Sequence, residues 1–576
     1  MFAHALQVCS HHFEIHVVPP QKSFVSIIDR RYCRQAKGRS ARGLGPQSPM
    51  WDRSPFPGPG HRAHDSGMDT LASGGPPSAI DHSPRSRRGW LPGSGPMMTP
   101  SARADPMGPL DALFLHAEDG INHMHIASCA IFAGPAPSID EMTRLIESKL
   151  PALTRYRQRV QFVLGGLGHP VWVDDPHFSL RSHVHHVTLS PPGSLRDLER
   201  LMGELMSSEL DRRRPLWDAW LVQGLTRGRW ALISKVHHCM VDGIAGTGLM
   251  TVLLDLDPDA PLAPIQPWLP VPAPSSVALA AGALARLAAA PVRGALALRT
   301  AGLGSRRRGD RLGDVVTGLR SLGERLAAPS PALSIEGAIG PRRRWAAARC
   351  TLADVRTIRN EFGGSVNDVV LAAISGAFRT LLVERGDAID ETVVLRSLVP
   401  VSVRHPGDAT SNNQVSLIVA ELPVGIADPV ERLHRMCAQM TELKASHQSD
   451  AGEAVEAAGE FLPPVMLSLG TRAVVAMLHR VPQRFINTVT TNVPGPQFPL
   501  YALGREMLEY LPFVPIAEGV RIGVAIMSYN GRITFGVTGD DGTAPDVHRM
   551  AERIEAEIVN LRDRARRRQH RGGESS

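Results

Sequence analysis

Apolar positions fall into two patterns along most of this chain, short apolar runs and a rhythm close to three and a half. The short, largely apolar run Trp230–Val236 reads as a strand, as do Met124–Phe132, Ser182–Leu189, Val393–Val403 and Val415–Leu422. Arg521–Ser528 and Arg532–Thr538, split by Asn530-Gly531, predict a hairpin. The helical rhythm begins at Ser138-Ile139-Asp140-Glu141, a capping box that places Met142, Leu145, Ile146 and Leu150 on one face. It returns over Ala353–Phe362, then in a helix capped by Asn367 that carries Val369, Val370, Ala373 and Phe378, and finally over Pro545–Leu561. Strands and helices mix in both halves, so the expected class is α/β.

Two regions lack the pattern. Residues 1–105 are rich in Pro, Gly, Ser, Arg and His and cannot build a core. They read as a disordered extension, or as upstream sequence from a misassigned start, with Met97, Met98 or Met107 as alternative starts. Residues 266–345 are dense first in Pro and then in Ala, Leu and Arg, and read as a linker. Val277–Leu298 within it predicts a helix, with Arg286 and Arg293 two turns apart on one side. The plain reading is a linker helix packed on its neighbours; the sharper one is a helix lying on a membrane or lipid-droplet surface. The implied division is 107–265 and 346–565 as two folded parts, with 566–576 as a basic tail.

The 576 residues are ample for two sizeable cores, and 43% hydrophobic content is that of a globular chain. The net charge of +7 is carried mostly by Arg, concentrated in the N-terminal region, Arg306-Arg307-Arg308, Arg342-Arg343-Arg344 and Arg564–Arg571. With no zinc-finger spacing and no RNP-like aromatic motif, nucleic acid is not the expected partner. The six cysteines are scattered with no CxxC, as expected of reduced thiols in the cytoplasm. No uncharged apolar run reaches membrane-spanning length, and no apolar core marks a signal peptide. No G-x-S-x-G elbow is present.

The densest candidate chemistry is His237-His238-Cys239-Met240-Val241-Asp242-Gly243, at the end of the strand Trp230–Val236 and before a loosely started helix over Ile244–Leu254. On a strand, neighbouring side chains point to opposite faces, so one histidine can meet a cavity while the other packs inward. The spacing lacks the ligand set of a metal site, and no metal is expected. A single presented imidazole suits general-base chemistry near neutral pH. Asp242 either orients it or pairs with an Arg to hold the turn, and Gly243 permits that turn. Cys239, between the histidines and Met240-Val241, reads as packing. His183, His185 and His186 form a second cluster, read as a solvated face or as core histidines.

The chain resembles the bacterial wax ester synthase/acyl-CoA:diacylglycerol acyltransferase family, within the wider HHxxxDG group of chloramphenicol acetyltransferase and peptide-synthetase condensation domains. The resemblance rests on an ordered set: Pro109-Leu110-Asp111-Ala112-Leu113-Phe114-Leu115 with Met124-His125-Ile126, then Pro215-Leu216-Trp217, the HHxxxDG motif, and Ser365-Val366-Asn367-Asp368. Val399–Arg404 and Thr491-Asn492-Val493-Pro494-Gly495-Pro496 complete it. It implies two chloramphenicol-acetyltransferase-like lobes meeting at a central tunnel. It also implies transfer of a long acyl chain from acyl-CoA to the hydroxyl of diacylglycerol, or of another lipid alcohol such as a fatty alcohol. A catalytically weak lipid-binding relative is the alternative of a different class. On this reading His238 is the general base, His237 packs, and Asp242 holds the motif with Arg404 as its expected partner. Asn367 and Asp368 reach the site from the second lobe, and Trp217 lines the acyl path or is plain core. Arg342, Arg343 and Arg344 either receive the phosphates of CoA or form a solvated linker. Acyl-CoA is a co-substrate and no cofactor is implied. The expected location is the cytoplasm, with the inner membrane or lipid droplets as a peripheral surface.

Overall fold

Alternation of the first half's strands builds a six-stranded sheet whose last two members come from far along the chain. The computed structural model describes residues 102–240, 252–301, 332–402, 415–445 and 484–573, with positions 469, 470, 473 and 476. The expected extension lies outside the described residues up to position 101, as do Asp242, Gly243, Arg404 and the helix read over Ile244–Leu254, apart from its last residues.

Along the chain come β1 (Asp105–Pro106), helix α1 (Pro109–Ala117), β2 (His125–Phe132), α2 (Ile139–Lys149), β3 (Gln158–Gln161), β4 (Val171–Asp174), β5 (Val184–Thr188) and α3 (Leu195–Met206). Next are β6 (Trp217–Leu225), β7 (Arg229–His237), α4 (Ser276–Ala301), β8 (Glu336–Gly337), β9 (Arg343–Thr351), α5 (Leu352–Phe362) and α6 (Val366–Glu384). After β10 (Leu395–Ser402), β11 (Val415–Leu422) and α7 (Pro429–Ala445) follow β12 (Thr488–Pro494), β13 (Tyr501–Ala502) and β14 (Arg505–Phe513). The chain ends with β15 (Gly519–Val520), β16 (Ile522–Tyr529), β17 (Arg532–Asp540) and α8 (Val547–Gly573).

The first sheet has the order β13-β14-β2-β7-β6-β5, antiparallel except for β5 beside β6. Ala231 and Ile233 of β7 pack with Leu198, Met202 and Met206 of α3, while Trp230, Leu232 and Val236 join Phe114 and Leu145 on the other face. α2 begins in the expected capping box, Glu141 N–H donating to Ser138 Oγ. α3 begins in a second box, Ser194 with Asp197, which keeps its amphipathic face on the sheet. The second sheet has the order β11-β10-β12-β16-β17-β9, and its helix-covered face packs against α5, α6, α7 and α8. The hairpin expected at Asn530-Gly531 is β16–β17. α6 is long and apolar enough to cross a membrane by composition, yet most of it is buried in this core.

Several boundaries differ from the reading of the sequence. Asp105 and Pro106 already pair with β4, so order begins inside the span assigned to the extension. β9 starts at Arg343, inside the span assigned to the linker. β13 and β14 belong in space to the first sheet although they lie late in the chain, so sequence order does not divide the two parts. The cap of α6 is Ser365, boxed with Asp368, and not Asn367. Residues 566–573 continue α8 instead of forming a tail, because Arg564 pairs with Asp428 at 2.6 Å and Arg568 with Glu361 at 3.3 Å along its length. α4 rests Leu279 and Ala283 on Val171 and Val173 of the small β1-β4-β3 sheet and on Val163 just past β3, with Val277 and Leu284 exposed.

The two large sheets meet where β14 leans on β17. A Cβ on Gly536 would lie 1.7 Å from the Pro512 carbonyl oxygen, so only glycine lets the strands approach. Trp345 of β9 donates its indole N–H to the same oxygen at 3.2 Å.

Candidate active site

β7 delivers the histidine pair to one spot by ordinary strand pairing. His125 of β2 lies opposite His237, whose N–H donates to Leu216 O at 2.9 Å. The strand ends there. His238–Met240 turn into a short 3-10 segment, and the His238 N–H donates to Met124 O at 2.9 Å. The two imidazoles therefore part. His238 stacks on Phe114 of α1, with ring centroids 3.8 Å apart and planes 13° apart. His237 turns into a buried polar network.

That network centres on Glu118, which follows the last residue of α1. Its Oε2 faces His237 Nε2 at 3.4 Å and accepts from Arg212 Nη2 at 2.9 Å, while its Oε1 accepts the Met124 N–H at 3.0 Å. Burial by itself would raise the pKa of this carboxyl; His237 and then Arg212 outweigh it and hold the group at about 2. On its other side, His237 Nδ1 accepts the Cys239 N–H at 3.1 Å and lies 2.9 Å from Cys239 Sγ. Nδ1 is thus the acceptor, which assigns the ring proton to Nε2, facing Glu118. Nδ1 of His237 is therefore taken up by Cys239, while Nε2 makes no hydrogen bond among the described residues and faces the Glu118 carboxylate at ion-pair distance.

Burial pushes the Cys239 thiol well above its usual range, which fits packing and not nucleophilic attack. Nothing in the sequence marked Glu118 as functional: with Asp119 it is one of two adjacent acids after α1, and its partner Arg212 lies 94 residues away.

More basic groups line the same side. His125 donates through Nε2 to Met206 O at 3.2 Å, and His123 through Nε2 to Pro341 O at 2.9 Å, their rings stacked at 5.7 Å. Burial lowers the pKa of both, that of His125 well below its usual value. Lys235 Nζ donates to Leu205 O at 2.8 Å and to Ser208 O, closing the C-terminal end of α3; burial lowers its pKa to about 8.

The remaining candidates are spread out. Trp217 is fully buried in the core, its N–H given to Tyr156 O at 2.9 Å and its ring stacked on His183 at 4.6 Å. Asn367 accepts from Asn492 Nδ2 at 3.1 Å, which joins two of the segments the sequence singled out. Asp368 bonds the Ser365 N–H through Oδ2 at 2.8 Å, and its buried Oδ1 has no hydrogen-bond partner among the described residues. In the second histidine cluster His183 is a core residue, donating to Trp217 O at 2.7 Å; His185 bonds Asp218 at 3.1 Å, and His186 is exposed. No group of three or more His, Cys, Asp or Glu is placed to hold a metal among the described residues.

Comparison with known proteins agrees with this architecture. The profile of the wax ester synthase/diacylglycerol acyltransferase catalytic domain matches residues 107–370, and that of the C-terminal domain residues 411–562. A probable diacylglycerol O-acyltransferase of Mycobacterium tuberculosis is 36% identical over 456 residues, covering 78% of this chain and 94% of that protein. The solved wax ester synthase/diacylglycerol acyltransferase of Marinobacter aquaeolei superposes with a TM-score of 0.58 at 26% identity, over 80% of this chain and 99% of the other. The first condensation domain of the calcium-dependent antibiotic synthetase shares the fold alone, with a TM-score of 0.50 at 15% identity over 80% and 97% of the two chains.

Proposed function

Because the chain belongs to the wax ester synthase/diacylglycerol acyltransferase family, we propose that it transfers a long acyl group from acyl-CoA to the free hydroxyl of diacylglycerol, forming triacylglycerol. The supporting observation is the division of labour between the two histidines. His237 is turned inward, Nδ1 taken up by Cys239 and Nε2 facing the buried Glu118 carboxylate, and the turn that follows carries His238 to a different face, against Phe114. His238 is then the imidazole for proton transfer.

In the reaction the alcohol oxygen attacks the thioester carbonyl as His238 takes the hydroxyl proton. The carbon–sulfur bond breaks as the tetrahedral intermediate collapses, and His238 returns the proton to the departing thiolate. No acyl-enzyme is required, since the thioester is already activated, and the main contribution of the fold is to hold the three groups together. The reaction needs no cofactor and runs in the cytoplasm, with the acceptor drawn from a membrane or droplet surface.

Diacylglycerol is preferred over a fatty alcohol because the relative named for it covers this chain at 36% identity. The test is turnover by purified protein of radiolabelled oleoyl-CoA with dioleoylglycerol, hexadecanol and glycerol as separate acceptors. Triacylglycerol as the main product supports the reading. Wax ester as the main product moves the acceptor to fatty alcohols, and no ester with any acceptor overturns it in favour of a lipid binder.

A further inference from the structure

A cleft of about 530 Å³ opens between α3, the start of β9 and the start of α8. Five arginines, among them Arg200, Arg342, Arg343 and Arg344, line it with three acids, Glu199, Glu204 and Asp541. Its volume falls in the range of small-ligand sites, roughly 300–1,000 Å³. The charges are unbalanced in a specific way. Arg342 and Arg344 share one carboxylate, Asp541, at 3.3 and 2.7 Å. Two guanidiniums on one carboxylate leave a positive charge over. Arg343 is 4% exposed and sits at the inner wall. Its guanidinium donates to carbonyl oxygens, those of Gly340 at 2.5 Å, Arg342 at 3.3 Å and Ile121; no carboxylate lies within ion-pair distance of it among the described residues. Asp540 and Asp119 act on it only from beyond contact, and a buried cation bonded directly to backbone carbonyls keeps much of its field, because little water is present to screen it. The exposed pairs around it are weak, worth about 0–1 kcal/mol each, and yield to a stronger anion.

The inner wall is also continuous with the active site. Arg343 N–H donates to Ser207 Oγ at 2.8 Å, just past the end of α3, and its guanidinium reaches Ile121. Pro341 accepts from His123. The loop that holds Ile121 and His123 runs from Glu118 to β2, so the cleft adjoins the network that fixes His237.

We propose that this cleft binds the phosphate groups of the acyl donor, the 3′-phosphorylated nucleotide and diphosphate of CoA, with Arg342 and Arg344 at the mouth and Arg343 as the buried positive end. The inference rests on the acyl-CoA reading above. Planar guanidiniums suit phosphate oxygens through paired hydrogen bonds, and a phosphate between Arg342 and Arg344 supplies the charge that Asp541 alone does not.

The test compares the full-length protein with the double variant Arg342→Glu/Arg344→Glu, using oleoyl-CoA and oleoyl-N-acetylcysteamine, a thioester without phosphate. The variant should raise KM for oleoyl-CoA at least about tenfold more than KM for the phosphate-free thioester. Calorimetric titration with adenosine 3′,5′-bisphosphate, which needs no turnover, should show binding to the wild type and a comparable loss in the variant. Equal KM changes for both thioesters, together with unchanged nucleotide binding, would overturn the proposal while leaving acyl transfer intact. Nucleotide binding lost in the variant, with no transfer from any thioester, would keep the cleft and sink the acyl-transfer reading. If the variant instead loses sedimentation with phosphatidylglycerol vesicles and keeps the nucleotide, the phosphate belongs to a lipid headgroup and the CoA assignment fails.

Discussion

Glu118 and His237 face each other at 3.4 Å with neither side chain exposed. The carboxylate holds the ring by one nitrogen while the Cys239 N–H holds it by the other, so the start of the turn that carries His238 is pinned from both sides. Glu118→Gln should therefore lower stability by about 3 kcal/mol near neutral pH, since a buried charge network loses its anion. Folding lowers this carboxyl from 4.5 to about 2, so its contribution is complete above 4.5 and disappears as pH falls through about 2. Urea denaturation across that acid range should show the wild type and the variant converging; a gap that stays constant would show that Glu118 does not act through its charge.

His238→Ala should reduce acyl transfer from oleoyl-CoA by about 10²- to 10⁴-fold, with the circular dichroism spectrum unchanged. His237→Ala should act differently, removing a partner from the Glu118 network and lowering the denaturation midpoint more than His238→Ala does. If both variants lose activity equally without a change in stability, the two rings do not divide their tasks as the geometry indicates.

Trp217→Phe separates a core role from an acyl-path role. It leaves the Tyr156 carbonyl without its donor, which costs about 1–3 kcal/mol. KM for oleoyl-CoA should stay within about twofold if the ring is core. A large KM change with normal stability would place Trp217 on the acyl path instead.

Gly536→Ala should be among the most damaging single-carbon changes in the chain. The new Cβ meets a backbone oxygen at 1.7 Å, and backbone cannot swing aside as a flexible side chain can. A loss above about 3 kcal/mol, or insoluble expression, is expected where strand must part from strand. A midpoint within error of wild type in thermal denaturation would show that β14 and β17 can separate cheaply.

What the sequence revealed followed the range of the interaction. Strands β2, β7, β11 and the β16–β17 hairpin could be read from short, largely apolar runs and from Asn530-Gly531, all local signals. The Ser138 box was readable because Glu stands at its fourth position; the boxes at Ser194 and Ser365 use Asp there, a weaker signature, and the true cap of α6 stands two residues before Asn367. The histidine pair reads from sequence as parted by the pleat of a strand; in the structure the strand stops at His237 and the turn after it parts the rings. Glu118 could not be found, because its meaning comes from Arg212 and His237, brought together only by the folded sheet. The final helix was cut short for a related reason: Arg564–Arg571 look like a solvated run until Asp428 and Glu361 are seen beside them.

The placement of β14 bears on how the protein is made. Ribosomes release the first part of the chain long before Arg505–Phe513 exists, yet β14 pairs with β2 along Met507–Phe513. Until then β2 presents an unpaired edge, the kind that invites foreign strands. A nascent or prematurely terminated chain ending before residue 505 would carry the histidine motif and its Glu118 network beside an open sheet. Translation arrest before Arg505 should thus yield aggregates in place of a partly active enzyme.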